Sequence, residues 1–274
     1  MRHLAPLAAL LVASAGLAQP PGDNLGTPPA DNLGTPPADN LGTPTPAAVG
    51  PAYKRAESGK SLVIPADVAG RGTLYQTVPG GAKQVSFLSD GKIKSEGHSS
   101  GVIGYAVAGP ADNPASLKAG VWVMPVRSLQ TGNKLKDTHI ADATWLSAAE
   151  HPDIIFVLKE VREITPHKES AGGKSYSATL VGDLTMRGIT KPLSIPGAIL
   201  AFASGNDKSP LKGDLLAIRC KYTVKFSDYG VSNSYTTELK TVSDEVAIDE
   251  SLILSTVAPE QQPEAKPDKK PEGK

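Results

Sequence analysis

Between residues 61 and 257 apolar side chains fall at every second position, or run together briefly until Gly, Pro, Asn or Asp interrupts them. In LLAIRCKYTVKF (215–226) Leu216, Ile218, Cys220, Tyr222, Val224 and Phe226 share one face, with Arg219, Lys221 and Lys225 on the other. DEVAIDESLIL (244–254) alternates through Val246, Ile248, Leu252 and Leu254. KQVSFLS (83–89) puts Val85 and Phe87 together, and Asp90-Gly91 then signals a tight hairpin into KIKSE. GVIGYAVAG (101–109) presents Ile103, Tyr105 and Val107 on one side. LKAGVWVMPV (117–126) follows with Val121 and Val123, and DIIFVLKEV (153–161) with Phe156. SYSATLVGDLTM (175–186), holding Leu180 and Leu184, turns at Arg187-Gly188 into TKPLSIPGAILAF (190–202), which holds Leu193 and Ile195. The stretches 165–174 and 204–213 read as long loops.

Only 133–151, NKLKDTHIADATWLSAAEH, breaks the period of two. Ile140, Trp145, Ala148 and Ala149 would give a helix there an apolar side, Asp142 is a candidate N-cap, and Pro152 would end it. About eight or nine strands around one helical excursion predict an all-β antiparallel barrel or sandwich rather than alternating β/α units.

The ends follow different rules. Residues 1–18 read as a signal peptide: Arg2 and His3, an apolar run from Leu4 to Val12, then small residues before Gln19. That run is too short for a stable bilayer span, and no cysteine follows it to carry a lipid anchor. Residues 19–60 hold DNLGTPPA twice and then DNLGTPTP, each unit with one large apolar residue and several turn-forming ones. This reads as an extended, partly polyproline linker, with a binding role for the repeat left open. The tail, 258–274, alternates charge with proline and has nothing to bury. The 274-residue chain therefore carries one folded domain at 61–257, periplasmic or secreted. Equal counts of acidic and basic residues, 28 each, exclude a basic field for nucleic acid. The single Cys220 allows no internal disulfide and reads as a buried thiol.

GHSSG (97–101) has the G-x-S-x-G form of an esterase nucleophile turn. Such a turn needs an apolar strand before the serine and a helix after it. Here polar DGKIKSE precedes it and β-favouring VIGYAVAG follows, so GHSSG reads as a connection between strands and Ser99 as a weak esterase candidate. Asp137 and His139, two apart on a helix, make no metal site. Glu160 and Glu163 make a poor acid/base pair, and no phosphate loop or dinucleotide fingerprint is present. No catalytic residue, metal ligand or cofactor is predicted.

Two stretches resemble one family. SLQTGNKLKDTHIADATWLSAAEHPDIIF (128–156) is similar to the YceI-like segment in which S-L-x-T-G precedes a basic-Asp-x-His motif, a helix and a strand start. LVGDLTMRGITKPLSI (180–195) is similar to that family's V-x-G-x-L-T-x-x-G-x-T-K-P-V hairpin. FSDYGV (226–231) and VSDEVAID (242–249) match in the right order, whereas the first strand, around 74–87, matches poorly. Within these motifs Gly182 permits close approach, Gly188 a positive φ, and Pro192 a strand position that needs no donor; Lys136-Asp137 would tie the helix to a barrel mouth.

The resemblance implies an extended lipocalin-like antiparallel β-barrel of about eight strands with a short helical excursion, exported, holding a long isoprenoid chain in its pore. Small residues such as Ala119 and Gly182 among large apolar ones would suit such a tunnel. The expected ligand contacts are Val85, Phe87, Ile103, Tyr105, Val121, Val123, Phe156, Leu180, Leu184, Leu193, Ile195, Ile218, Tyr222, Val224, Val246 and Ile248, with a headgroup near Lys136 or Arg187 at the mouth. The expected partner is a long-chain isoprenoid or other apolar lipid, with no nucleic acid and no integral membrane segment; a homodimer is compatible with the sequence. The competing reading is a filled barrel acting as an extracytoplasmic interaction module.

Overall fold

A computed structural model describes residues 53–79, 83–170, 173–205 and 209–263. The predicted signal peptide, most of the linker and the end of the tail lie outside the described residues. Among the described residues, contacts with the barrel include Tyr53 on one side of the 61–257 interval and a short 3-10 turn at Pro259–Gln261 on the other.

Ten strands form one antiparallel sheet: β1 (Leu74–Thr77), β2 (Val85–Asp90), β3 (Lys94–Ser99), β4 (Ile103–Val107), β5 (Ala119–Pro125), β6 (Asp153–Ser170), β7 (Gly173–Met186), β8 (Ile189–Ala203), β9 (Leu215–Lys225) and β10 (Glu245–Ser255). Eight of them close into a barrel in the order β1-β4-β5-β6-β7-β8-β9-β10, because β10 pairs back with β1 at Gln76↔Ser255 and Thr77↔Leu254. The other half of that edge of β10, Val246 to Glu250, takes β2 instead, so the β2–β3 hairpin extends the wall at one end. Gln84 stitches the split. Its buried side-chain amide donates to the Val102 carbonyl at 3.1 Å and accepts from the Val102 N–H at 2.7 Å, standing in for a missing ladder rung.

Local chemistry accounts for the turns. Arg187 and Gly188 both have positive φ, 51° and 73°, between the paired Met186 and Ile189, which is the two-residue hairpin geometry that matches strand twist. At the β2–β3 tip a Cβ on Gly91 would lie 2.6 Å from the Thr241 carbonyl oxygen, so only glycine lets the chain 241–243 pass so closely. Of the stretch 165–174, expected to be a loop, residues 165–170 and 173–174 instead belong to the far ends of the long paired strands β6 and β7. Their register is absorbed by bulges, one around Glu163 with φ of 54°, and His167 lies on β6. Pro192 sits within β8, where it costs no ladder bond because β8 meets β9 only from Ile199 to Ala203. The front half of that seam is open and forms a side cleft of about 430 Å³ floored by Leu193, Val224 and Tyr229.

The helical excursion is shorter and earlier than the sequence suggests. The first helix of the structure, α1, is a single turn at Ala66–Ala69, and α2 spans Lys134–Ala141. The Asn133 carboxamide oxygen caps α2 by accepting from the Leu135 and Lys136 N–H groups at 3.0 and 3.3 Å, and Asp142 is its C-cap rather than an N-cap. Beyond Asp142 the chain continues in turns that still bury Leu146 and Ala148. Asp137 ties α2 back to the β5 end by accepting from both the N–H and the hydroxyl of Thr131, each at 2.7 Å.

The barrel is packed at one end and open at the other. Leu200, Leu216, Leu252 and Leu254 are at most 1 % exposed and fill the half near β1, with Phe202 meeting Tyr75 and Tyr176 edge-on beyond them. The outer surface of β4 and β5 is also covered. Tyr53, Leu62, Ile64 and Val68 pack there against Ile103, Tyr105, Val107, Val121 and Val123, and Arg55 anchors the segment to Asp153 at 2.5 Å. Strand β4 is consequently buried on both faces.

Candidate ligand-binding site

At the open end the pore holds two adjoining chambers. The outer one, about 290 Å³, is walled by Phe87, Met124, Ile140, Trp145, Phe226 and Val246, with Thr131, Lys136 and His139 at its polar margin. The inner one, about 80 Å³, reaches Val102, Trp122, Phe156, Leu184, Tyr222 and Glu250. Val85, Met124, Ile154, Met186, Val224 and Ile248 border both, so the two spaces adjoin. The combined space suits a slender apolar guest entering from one side. It does not run through the barrel, because the leucine layer closes it just past Glu250.

These walls follow from strand alternation. On β10 the inward series is Val246, Ile248, Glu250, Leu252 and Leu254, and on β9 it is Ile218, Cys220, Tyr222 and Val224. On β5 the inward residues are Gly120, Trp122 and Met124. The Trp122 ring fills space that Gly104 and Gly120 leave free: a Cβ on either would sit within 2.7 Å of it. A Cβ on Gly182 would likewise meet the Phe156 ring at 2.6 Å. The Trp122 indole N–H is buried without a hydrogen-bond partner among the described residues.

Of the residues expected at the pore, Val85, Phe87, Val224, Val246 and Ile248 border the outer chamber, and Val85, Phe156, Leu184, Tyr222, Val224 and Ile248 the inner one. Leu180, Ile195 and Ile218 lie in the packed half, and Leu193 borders the side cleft. Ile103, Tyr105, Val121 and Val123, expected on the inner face, instead pack outside the barrel under the 53–68 segment, as does Ala119. The reason is one of parity: with both faces of β4 covered, alternation alone does not say which is inner, and a shift of one residue exchanges them. Arg187 stands away from the pore. Its guanidinium donates to the Gly230 carbonyl and, at 2.9 Å, to that of Ala143, clamping two loops together.

The sequence reading missed Trp122, Met124, Ile154, Met186 and, above all, Glu250. The Glu250 carboxyl faces the inner chamber. Its Oε2 accepts from the Tyr222 hydroxyl at 3.4 Å and weakly from Cys220 Sγ at 3.6 Å, both long contacts, while Oε1 has no hydrogen-bond partner among the described residues. Loss of hydration in this apolar space raises its pKa from 4.5 to about 7, against a smaller lowering by those two partners. Burial, reinforced by the Glu250 charge, pushes the Cys220 thiol and Tyr222 hydroxyl upward, so Cys220 is a protonated, buried thiol rather than a nucleophile.

Ser99 has a structural setting. Residues Gly97 to Ser99 close strand β3 rather than forming a connection, and the chain passes through Ser100-Gly101 into β4, with no helix after the serine. Ser128 donates to the Pro125 carbonyl at 2.6 Å, which leaves Ser99 donating to Ser128 at 2.7 Å, while Ser99 Oγ accepts from the Gly101 N–H at 3.1 Å. The side chain is fully buried. Ser99→Ala is expected to leave background ester hydrolysis unchanged and to lower stability by about 1–2 kcal/mol, read from urea unfolding midpoints, because it strands the Gly101 donor.

The sequence model of the YceI-like domain family matches residues 77–253. A UPF0312 protein of Pseudomonas putida is 32% identical over 104 residues, covering 38% of this chain and 47% of that protein. One from Pectobacterium carotovorum is 26% identical over 136 residues, covering 50% and 61%. The chain thus spans about half the length of the curated relatives it matches. Among solved structures, Burkholderia cenocepacia BcnA aligns at TM-score 0.47 with 20% identity, over 62% of this chain and 94% of that one. A polyisoprenoid binding domain from Saccharophagus degradans, implicated in plant cell wall breakdown, aligns at 0.47 with 13% identity, over 67% and 98%.

Proposed function

Since this chain belongs to the YceI-like domain family, we propose that it is an extracytoplasmic lipid-binding protein that sequesters the apolar chain of an isoprenoid or similar lipid in its half-open barrel, making and breaking no bond. The observation that carries the reading is the pair of adjoining apolar chambers, walled almost wholly by aliphatic and aromatic side chains and open at one end. Each methylene moved from water into that space contributes about 0.8 kcal/mol, so a chain of a few isoprene units binds without any charged contact. A polyisoprenoid, the ligand named for the Saccharophagus degradans domain, is of this class.

The leucine layer limits how much chain is housed. The leading end stops at Glu250, and whatever exceeds the two chambers remains at the mouth near Lys136 and His139. That layer is also the observation that favours a second reading, a filled barrel presenting a surface to another protein. Native mass spectrometry of the protein purified from its own host separates the two. A reproducible hydrocarbon-rich adduct released by mild activation is expected, and bare protein from lipid-replete cells would overturn the carrier reading.

A further inference from the structure

The rim of the pore carries a repeated pattern that the pore itself does not require. Three separate segments end there in an exposed apolar side chain next to lysine: Lys92-Ile93-Lys94 at the β2–β3 tip, Lys134-Leu135-Lys136 at the start of α2, and Leu239-Lys240 in the loop between β9 and β10. Ile93 is 54 %, Leu135 66 % and Leu239 49 % exposed, and Tyr235 joins them at 52 %; among the described residues only Val63 and Ile253 are other large apolar side chains so exposed. The segments converge. Ile93, Lys136 and Tyr235 border the same outer chamber, the Ile93 N–H donates to the Thr241 carbonyl at 2.9 Å, and the Thr241 N–H donates to that of Tyr235 at 2.9 Å.

The lysines at this rim stand directly beside the apolar tips. Lys94 is paired with Glu96 at 3.3 Å, but Lys92, Lys134, Lys136 and Lys240 are exposed and make no ion pair among the described residues. Glu96 is engaged with Lys94, and Asp90, Asp137, Asp142 and Glu238 lie in the same segments, so it is the placing of lysines directly beside the apolar tips, not a surplus of positive charge, that marks this rim. Apolar tips bracketed by ammonium groups match a surface with hydrocarbon below and negative charge above it, which is the cross-section of an anionic bilayer.

We propose that the rim formed by the 92–94, 134–136 and 235–240 segments is a docking surface for an anionic lipid bilayer, which sets the open chamber directly against the membrane. An exported chain that is neutral overall gains no membrane attraction from its net charge, so attachment depends on this local cluster. The inference goes beyond lipid carriage, because docking does not require the pore to be occupied.

The test is flotation of the purified chain with phosphatidylcholine vesicles, with and without phosphatidylglycerol. Binding to the anionic vesicles alone, weakened by added salt, is expected. A variant carrying Lys92→Glu, Lys94→Glu, Lys134→Glu and Lys240→Glu should lose binding by tenfold or more, and Leu135→Ser with Leu239→Ser by roughly tenfold at unchanged charge. None of these residues borders the chambers except through the neighbours already named, and circular dichroism verifies that each variant is folded. Equal binding to neutral and anionic vesicles, no binding to either, or insensitivity to the lysine changes overturns the proposal. A chain with the pore filled by Ile248→Trp should still float with anionic vesicles, which separates failure of docking from failure of lipid carriage.

Discussion

Ile248→Trp is expected to strip the purified protein of bound lipid while leaving the barrel folded. Ile248 borders both chambers, sits between Phe87 on β2 and Tyr222 on β9 in the sheet register, and is only partly buried because it faces open space. An indole there grows into the void rather than into packed neighbours, so the usual cost of overpacking is small. It blocks the passage from the outer to the inner chamber. Excluding even four methylenes from the inner space forfeits about 3 kcal/mol, roughly a hundredfold in affinity. The measurement is the lipid adduct in native mass spectra beside the urea midpoint. The control is Ile253→Trp, on the same strand but 42 % exposed on the outer side, which should retain the adduct. An adduct that persists in Ile248→Trp places the guest elsewhere.

The second large effect is on pH. Glu250 has its pKa raised to about 7 in the fold and close to 4.5 in the unfolded chain. Between those values the folded state holds a proton that the unfolded state has released, so stability falls as pH rises from about 4.5 and levels off above about 7. A shift of this size corresponds to at most about 3 kcal/mol, and to less where water enters the chamber beside the carboxylate. Glu250→Gln keeps the shape and removes the titration. It should gain stability over the wild type at about pH 8, match it at about pH 4, and flatten the profile between. Urea unfolding at several pH values reads this directly, and a wild-type profile already flat across that window would refute the assignment. Guest affinity should hold level below about pH 7 and fall as pH rises beyond it, because an apolar chain end placed against the carboxyl favours its neutral form.

That carboxylate shows what alternation does and does not reveal. The series Val246, Ile248, Glu250, Leu252, Leu254 placed a charge in the middle of an apolar face, and the anomaly was visible in DEVAIDESLIL before any coordinates. Strands β7 to β10, which have one wet face, gave their inner residues correctly by period. Strands β4 and β5 did not, because the cover over their outer face comes from residues 53–68, a segment with no strand pattern of its own. The small residues were the overlooked signal: Gly104, Ala106 and Gly120 are inward because Trp122 needs their space. The strand ends at 165–170 and 173–174 were hidden by Pro166 and by charged, unburied side chains on strand arms that reach past the core. Asp142 was a plausible helix start on composition, but Asn133 already supplied the cap, and a helix begins where its first free N–H groups find an acceptor.

The leucine layer at Leu200, Leu216, Leu252 and Leu254 has a consequence for traffic. A vessel sealed at the bottom cannot serve as a conduit between two membranes; cargo must leave by the doorway it used, tail last if it went in tail first. In the proposed carrier role such a barrel would visit and depart, and the depth of its well would set how much of a molecule travels with it.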